Sequence, residues 1–222
     1  MRASLTTAAL LAALALPLAA QQDGHSHSHD DPDHPAAGGG ALPAGWSVRA
    51  DRGDASGASV APMGNGLHVT TGPAIILYRT DKAGNGPFHT LATFTQTKPS
   101  AHPEGYGLFV GGKSLDGKDQ QYIYFLIRQD GSYLIKRRQG ESTTDVTKGW
   151  VPSPAVKKPD AKGTATNLLE VDHKKDPSKV RFLVNGQEVY ATDAKNMQTD
   201  GDVGLRVNHN LDVHIEGFDV HR

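Results

Sequence analysis

Four histidines stand close together near the start of the chain. His25, His27 and His29 alternate with serine, and His34 follows Asp30, Asp31 and Asp33. Imidazole and carboxylate at that density can ligate Zn2+, Cu2+ or Ni2+. The surrounding stretch, Gln21 to Gly40, has no large apolar residue with which to hold the ligands in a fixed shell, so loose chelation is expected. A second set is His209, His214 and Glu216, in or beside the last apolar run. His214 and Glu216 are two apart and share one face if that run is a strand. They are candidate catalytic groups, an imidazole and a carboxylate able to move a proton, set against the plainer reading of a solvated strand edge. The third set is Tyr122, Tyr124, Arg128, Tyr133, Arg137 and Trp150. Aromatic faces stack on sugar rings and guanidinium groups donate to hydroxyls, although tyrosines on strands also pack below while wetting above. Oxygen ligands for a Ca2+ ion are available at Asp51, Asp54, Asp81, Asn85, Asp116 and Asp219, with no compact Asp-x-Asp-x-Asp series among them.

The elements that must position these groups read as short strands. Gly105 to Gln139 is the clearest case. Tyr106–Gly111 is an apolar run, Leu115–Lys118 is turn chemistry, Gln121–Arg128 is aromatic and β-branched, and Ser132–Arg138 returns after Asp130-Gly131. A two-residue loop at Asp130-Gly131 puts Tyr133 opposite Arg128 and Arg137 opposite Tyr124. Tyr122, Tyr124, Arg128, Tyr133 and Arg137 then share one face, and Ile123, Phe125, Ile127 and Leu134 the other. If Gln129 joins the turn as a third residue, the return strand flips its faces. Further strands are expected at Trp46–Val48, Leu67–Thr71, Ala74–Tyr78, Phe88–Gln96, Asn167–Val171, Val180–Val184, Glu188–Tyr190, Val203–Val207 and Val213–Val220. Asn185-Gly186 is a strong hairpin signal, and Trp150–Pro154 is a proline-rich loop that no central strand could contain. No segment sustains a 3.6-residue period. The expected fold is all-β, a two-sheet antiparallel sandwich or jelly roll spanning 45–222.

Residues 1–20 have a basic start at Arg2, an apolar core from Ala8 to Leu18 and small residues after it, the pattern of a secretory signal peptide. Export to the periplasm or the medium is therefore expected, with no membrane span after cleavage. Residues 21–44 are expected to be a disordered His-, Asp- and Gly-rich linker. The chain has 222 residues, no cysteine and a net charge of -1. No disulfide is possible, so the core alone must hold the fold, and nothing in the charge draws the protein to nucleic acid or an anionic membrane.

The ordered motifs Tyr106-Gly107-Leu108-Phe109, Tyr122-Ile123-Tyr124-Phe125, Gly131-Ser132-Tyr133 and Trp150-Val151-Pro152-Ser153-Pro154 resemble bacterial members of the concanavalin A-like lectin/glucanase superfamily. The last third, with Asn167–Val171, Val180–Gly186, Gly201–Leu205 and Phe218–Val220, is similar to its laminin G-like and 3-keto-disaccharide hydrolase-like branch. The resemblance implies a turn at Asn185-Gly186, a tight strand position at Gly204 and a core anchor at Phe218. It also implies an exported domain that binds carbohydrate or another extracellular ligand. The alternatives are a glycoside-cleaving enzyme of the 3-keto-disaccharide hydrolase type and a metal-handling protein working through the His tract. Laminarinase-type relatives carry a Glu-x-Asp-x-x-Glu strand, and a retaining pair must stand about 5 Å apart. Here Glu170-Val171-Asp172 is followed by Lys175 where the second glutamate would be, so that carboxylate pair is absent.

Overall fold

Alternation with a period of two sorts the strand residues onto opposite faces, and in β5 (His89–Gln96) Thr90, Ala92, Phe94 and Gln96 are buried while their neighbours are partly exposed. The same alternation runs through β11 (Ala165–Asp172) and β12 (Lys179–Val184). Strands with one apolar face must bury it against a second layer. This is a computed structural model, and it describes residues 32–36 and 41–222. The expected signal peptide, His25, His27 and His29 lie outside the described residues.

The remaining strands are β1 (Ser47–Ala50), β2 (Ala58–Met63), β3 (Gly66–Thr71), β4 (Ile75–Gly84), β6 (Gly105–Lys113), β7 (Gln121–Arg128), β8 (Ser132–Gln139), β9 (Ser142–Asp145), β10 (Val151–Pro152), β13 (Gln187–Asp193), β14 (Gly201–Val207) and β15 (Asp212–His221). The first sheet runs β1-β4-β14-β6-β7-β8-β10, with β9 also on the β8 edge, and the second runs β13-β12-β11-β5-β15-β3-β2. Every pairing is antiparallel. The expected two-sheet sandwich is therefore the observed fold. Among the described residues no helix is long and apolar enough to cross a membrane.

The core lies between the sheets. Tyr106, Leu108, Phe125, Ile127, Ile135 and Leu205 meet Phe94, Leu169, Phe182, Val213 and Ile215 there. Aromatic contacts pin the layers, with ring centroids 5.3 Å apart for Phe125 and Phe182 and 5.8 Å for Phe94 and Tyr106. Gly204 sits where a Cβ would come within 2.3 Å of the Leu77 carbonyl oxygen and 2.5 Å of the Phe109 ring, so the tight position implied at that glycine is real. Phe218 packs on the rim of this core against Trp46, with centroids 5.7 Å apart.

Three strands were not expected. β2 carries Pro62 and β10 carries Pro152, and both lie at sheet edges, where a missing N–H breaks no ladder. β9 is exposed throughout and has no apolar pattern to betray it. The two-residue reading of Asp130-Gly131 is corrected. Arg128 pairs with Ser132, Ile127 with Tyr133 and Ile123 with Arg137, so the loop has three residues and the faces of β8 are the flipped ones. Gly131 has a φ of 86° while Asp130 does not enter the left-handed region, which excludes the turn that needs both central residues there. Asn185 and Gly186, with φ of 52° and 76°, do form that turn between β12 and β13.

Pro32–Ala36, within the segment expected to be a disordered linker, lie against the domain. The His34 amide donates to Asn210 Oδ1 at 2.7 Å, Asn210 Nδ2 donates to the Pro32 carbonyl at 3.0 Å, and the Ala36 amide donates to the Gly57 carbonyl at 2.9 Å.

Candidate functional site

The two sheets differ on their outer faces. β7 is apolar on both sides: Ile123, Phe125 and Ile127 enter the inter-sheet core, while Tyr122, Tyr124 and Leu126 point the other way. These last three join Ile76 and Tyr78 of β4, Phe109 of β6, Leu115 and Trp150 in a second apolar cluster on the outer face of the first sheet. A sandwich needs one buried face per sheet, so this second face is surplus to holding the two layers together.

Charged groups are set into it. The β14 register puts Arg206 between Ile76 and Gly107, on the outward side of a strand whose Val203, Leu205 and Val207 face the core. Its Nη1 donates to Asp51 Oδ1 at 2.9 Å and to the Tyr122 hydroxyl at 3.0 Å, and its Nη2 donates to Asp51 Oδ2 at 2.6 Å. The guanidinium also lies over the Tyr124 ring, 4.8 Å from the centroid. Arg138 of β8, opposite Tyr122, reaches the same Asp51 at 3.2 Å. Gln120, with its amide oxygen turned to the guanidiniums, accepts from Arg138 Nε at 3.1 Å and Arg49 Nη2 at 3.2 Å. At the other end of the face Arg128 stacks over Trp150 at 4.3 Å and pairs with Asp130 at 2.6 Å. Lys136, beside Tyr124, pairs with Asp145 at 3.0 Å.

Tyr122 is 2% exposed, Arg206 4% and Arg138 7%. Burial pushes the Tyr122 and Tyr124 hydroxyls above their ordinary value, so both stay protonated at neutral pH. Burial works against the charge on Arg206, but the Tyr122 oxygen and the Asp51 carboxylate overcome it and hold its pKa well above the usual one. These groups keep their charge states around neutrality, which suits recognition rather than proton transfer.

Of the aromatic and arginine residues named from the sequence, the structure brings Tyr122, Tyr124, Arg128 and Trp150 to this face. It takes Tyr133 and Arg137 to the other side, a correction that follows from the three-residue turn. Tyr133 enters the inter-sheet core and donates to the Val189 carbonyl at 2.8 Å, while Arg137 Nη2 donates to the Asn196 carbonyl at 3.1 Å. Arg206, Asp51, Arg138 and Gln120 were not anticipated at this face. The signal for Arg206 was present, a lone arginine in the apolar run Val203–Val207, but its partner is 155 residues away in sequence.

His209, His214 and Glu216 are not gathered into one constellation. His214 and Glu216 do share a face, with His214 Nε2 3.3 Å from Glu216 Oε1, on the outer side of the second sheet where His214 also stacks with His68. His209 belongs to the preceding turn and meets Glu104 at 2.8 Å and Asp33 at 3.3 Å. Glu170 pairs with His89 at 2.9 Å, and Asp172 caps the following turn by accepting from the Lys174 and Lys175 amides. Among the oxygen ligands considered for Ca2+, Asp51, Asp81 and Asp219 are ion-paired with arginine or lysine. Among the described residues no group of three or more His, Asp or Glu is gathered to hold a metal ion. Two cavities of about 280 Å3 lie elsewhere, one lined by His173, Met197 and Asp200 and the other by Trp46, Arg79 and Phe218.

No protein-family model matches the sequence, and no curated protein matches it. Among solved structures, the carbohydrate-binding module CBM66 from Bacillus subtilis is similar with a TM-score of 0.59 at 11% identity, over 80% of this chain and 96% of that one. A Bacillus licheniformis β-glucanase matches with a TM-score of 0.53 at 10% identity, over 82% of this chain and 93% of that one. A Bacillus subtilis protein of unknown function with a galectin-like fold matches at 0.52 and 14% identity, over 79% and 88% of the two chains. At such identities the likeness is one of fold: this chain is a two-sheet jelly-roll sandwich similar to those structures.

Proposed function

We propose that this is an exported carbohydrate-binding domain whose ligand lies on the outer face of the first sheet. The observation that carries this reading is the second apolar cluster, in which Tyr78, Phe109, Tyr122, Tyr124 and Trp150 gather with Arg206 and Arg128 on a face the sandwich does not need for its core. Tyr122 and Tyr124 form a buried floor. The partly exposed Trp150, Arg128 and Lys136 are the groups a ligand would meet first, an aromatic platform with donors beside it. The similar fold of a carbohydrate-binding module supports the same reading. An enzyme of the 3-keto-disaccharide hydrolase type finds less support, because His209 is engaged apart from His214 and Glu216.

The chain has two tryptophans, so Trp46→Phe leaves Trp150 as the single reporter. Titration of that variant with a panel of glycan oligosaccharides should give a saturable change in emission matched by calorimetric heat. Trp150→Ala should weaken binding by about tenfold or more, the effect of removing a central aromatic anchor. A panel that gives no saturable binding by either method would refute the proposal.

A further inference from the structure

We propose that the cavity beside Trp46 and Phe218 is a second ligand site, taking a small uncharged aromatic molecule of two fused rings. The proposal is independent of the carbohydrate-binding reading, whose residues lie on the outer face of the first sheet. The cavity encloses about 280 Å3 and is lined by residues of β4 and β14 from the first sheet and of β3 and β15 from the second. Leu67, Leu205 and Ile215, all buried members of the inter-sheet core, form its aliphatic part. Trp46 and Phe218 add two aromatic faces, with ring centroids 5.7 Å apart and planes tilted by 44°. Ala44, Pro62 and Asn65 in the lining are exposed, so the cavity opens to solvent.

Backbone geometry builds this space and keeps it open. Glu216 pairs with Thr93 and Asp219 with Leu91, so β15 carries one residue more than β5 across that step, and Gly217 takes up the bulge at a φ of 64°. Strict alternation would send Phe218 outward with Glu216. The bulge brings it instead onto the inter-sheet core, against Trp46. Gly66, also in the lining, has no side chain to fill the gap and can take none, because a Cβ there would come within 2.1 Å of the Ile215 carbonyl oxygen. Bulges of this kind recur beside binding sites, where they re-aim a side chain.

The lining sets the chemistry of the occupant. Arg79 is the one charged residue in it, and Asp81 neutralises that charge through two hydrogen bonds of 2.8 Å. A charged ligand would lose its hydration and meet no free counter-charge there. Water over the aliphatic residues is poorly held, and an apolar group gains by displacing it. An apolar cavity of about 150 Å3 holds benzene, so a larger one suits two fused rings. The indole and phenyl faces favour an aromatic ring over a saturated one, and the Asn65 amide at the opening can bond one hydroxyl.

The test is calorimetry on the purified full chain with 2-naphthol, its charged analogue 2-naphthoate and its saturated analogue 2-decalol. Naphthol should bind saturably, about tenfold or more tighter than naphthoate and about threefold or more tighter than decalol. Ala44→Trp, which sets an indole at the opening from an exposed position, should weaken naphthol binding about tenfold or more by occupying the space. A second measurement does not depend on that variant. In Trp150→Phe, where Trp46 is the single tryptophan, naphthol should quench the emission with the midpoint found by calorimetry. Absence of saturable naphthol binding would overturn the site, as would binding that leaves both the Trp46 emission and the Ala44→Trp affinity unmoved. Naphthoate or decalol binding as tightly as naphthol would overturn the assigned chemistry.

Discussion

At the scale of single residues, Arg206 and His209 make the sharpest claims. Removing one partner of a buried ion pair is costly because the other is left charged and unsolvated. Asp51→Asn should therefore lower stability by about 3 kcal/mol in urea denaturation, and adding Arg206→Met should recover much of the loss. A double variant no better than the single one would show that Asp51 acts by packing or through its other contacts. His209 tests the opposite kind of interaction, at the surface. The hydrogen bond that it donates to the Glu104 carboxylate raises its pKa, burial opposes the rise, and the charge of Glu104 and the hydrogen bond and charge of Asp33 add to it. A histidine whose folded value lies above the unfolded one, about 6.5, contributes fully below that pH and loses the contribution as pH climbs through the folded value. The penalty of His209→Gln should be largest near pH 5.5 and fall away by pH 9, as read from urea midpoints at the two values. A penalty unchanged with pH would assign His209 a role in shape alone.

At the scale of elements, the β7–β8 hairpin decides what the outer face contains. Gln129 is the residue that lengthens its turn. Its Oε1 accepts from Gln96 Nε2 at 3.0 Å and from the Ser100 amide at 3.2 Å, while its Nε2 donates to the Ser100 carbonyl at 2.9 Å. Asp130 then accepts from the Ser132 amide at 3.1 Å and from its hydroxyl at 2.6 Å, and the Gly131 amide closes the turn on the Arg128 carbonyl at 3.1 Å. Deleting Gln129 leaves a two-residue Asp-Gly loop, which would exchange the faces of β8, driving Lys136 and Arg138 toward the core while expelling Tyr133 and Ile135. The deletion is expected to abolish cooperative folding, checked by loss of the thermal transition in circular dichroism. A folded deletion variant with native melting would show that the register is held elsewhere. The resemblance of Asp130-Gly131 to Asn185-Gly186 in sequence thus conceals two different turns. Asn185 takes a left-handed conformation and its side chain is tied down, accepting from the Leu168 amide at 3.0 Å and donating to the Ala155 carbonyl at 2.8 Å.

At the scale of the whole molecule, the domain is closed without a covalent staple and with a strap at one edge. The chain has no cysteine, so stability rests on the inter-sheet core and on such edge contacts. Residues 32–36 tie to Asn210, Gly57 and His209 through the bonds already described. A chain beginning at Ala41 should melt a few degrees below one beginning at Pro32, since about 1 kcal/mol moves the midpoint of a domain this size by roughly 2–4 °C. Identical melting of the two would mean that the strap adds nothing to the domain.

Much of this architecture was legible in the residues alone. Period-two alternation in β5, β11 and β12 and the Asn185-Gly186 turn identify antiparallel strands, because side-chain direction along a strand is a local property. The absence of any sustained helical period identifies the class. Four of the six aromatic and arginine residues singled out at the start do share a face. What the tertiary structure alone decided is which face β8 presents and what completes the charge on it. Gln129 is held by Gln96 and Ser100, and Arg206 is met by Asp51 from 155 residues away. Neither can be read locally, because a one-residue change in a turn reverses every side chain after it, and an ion pair between distant strands exists only once the sheet has brought them together.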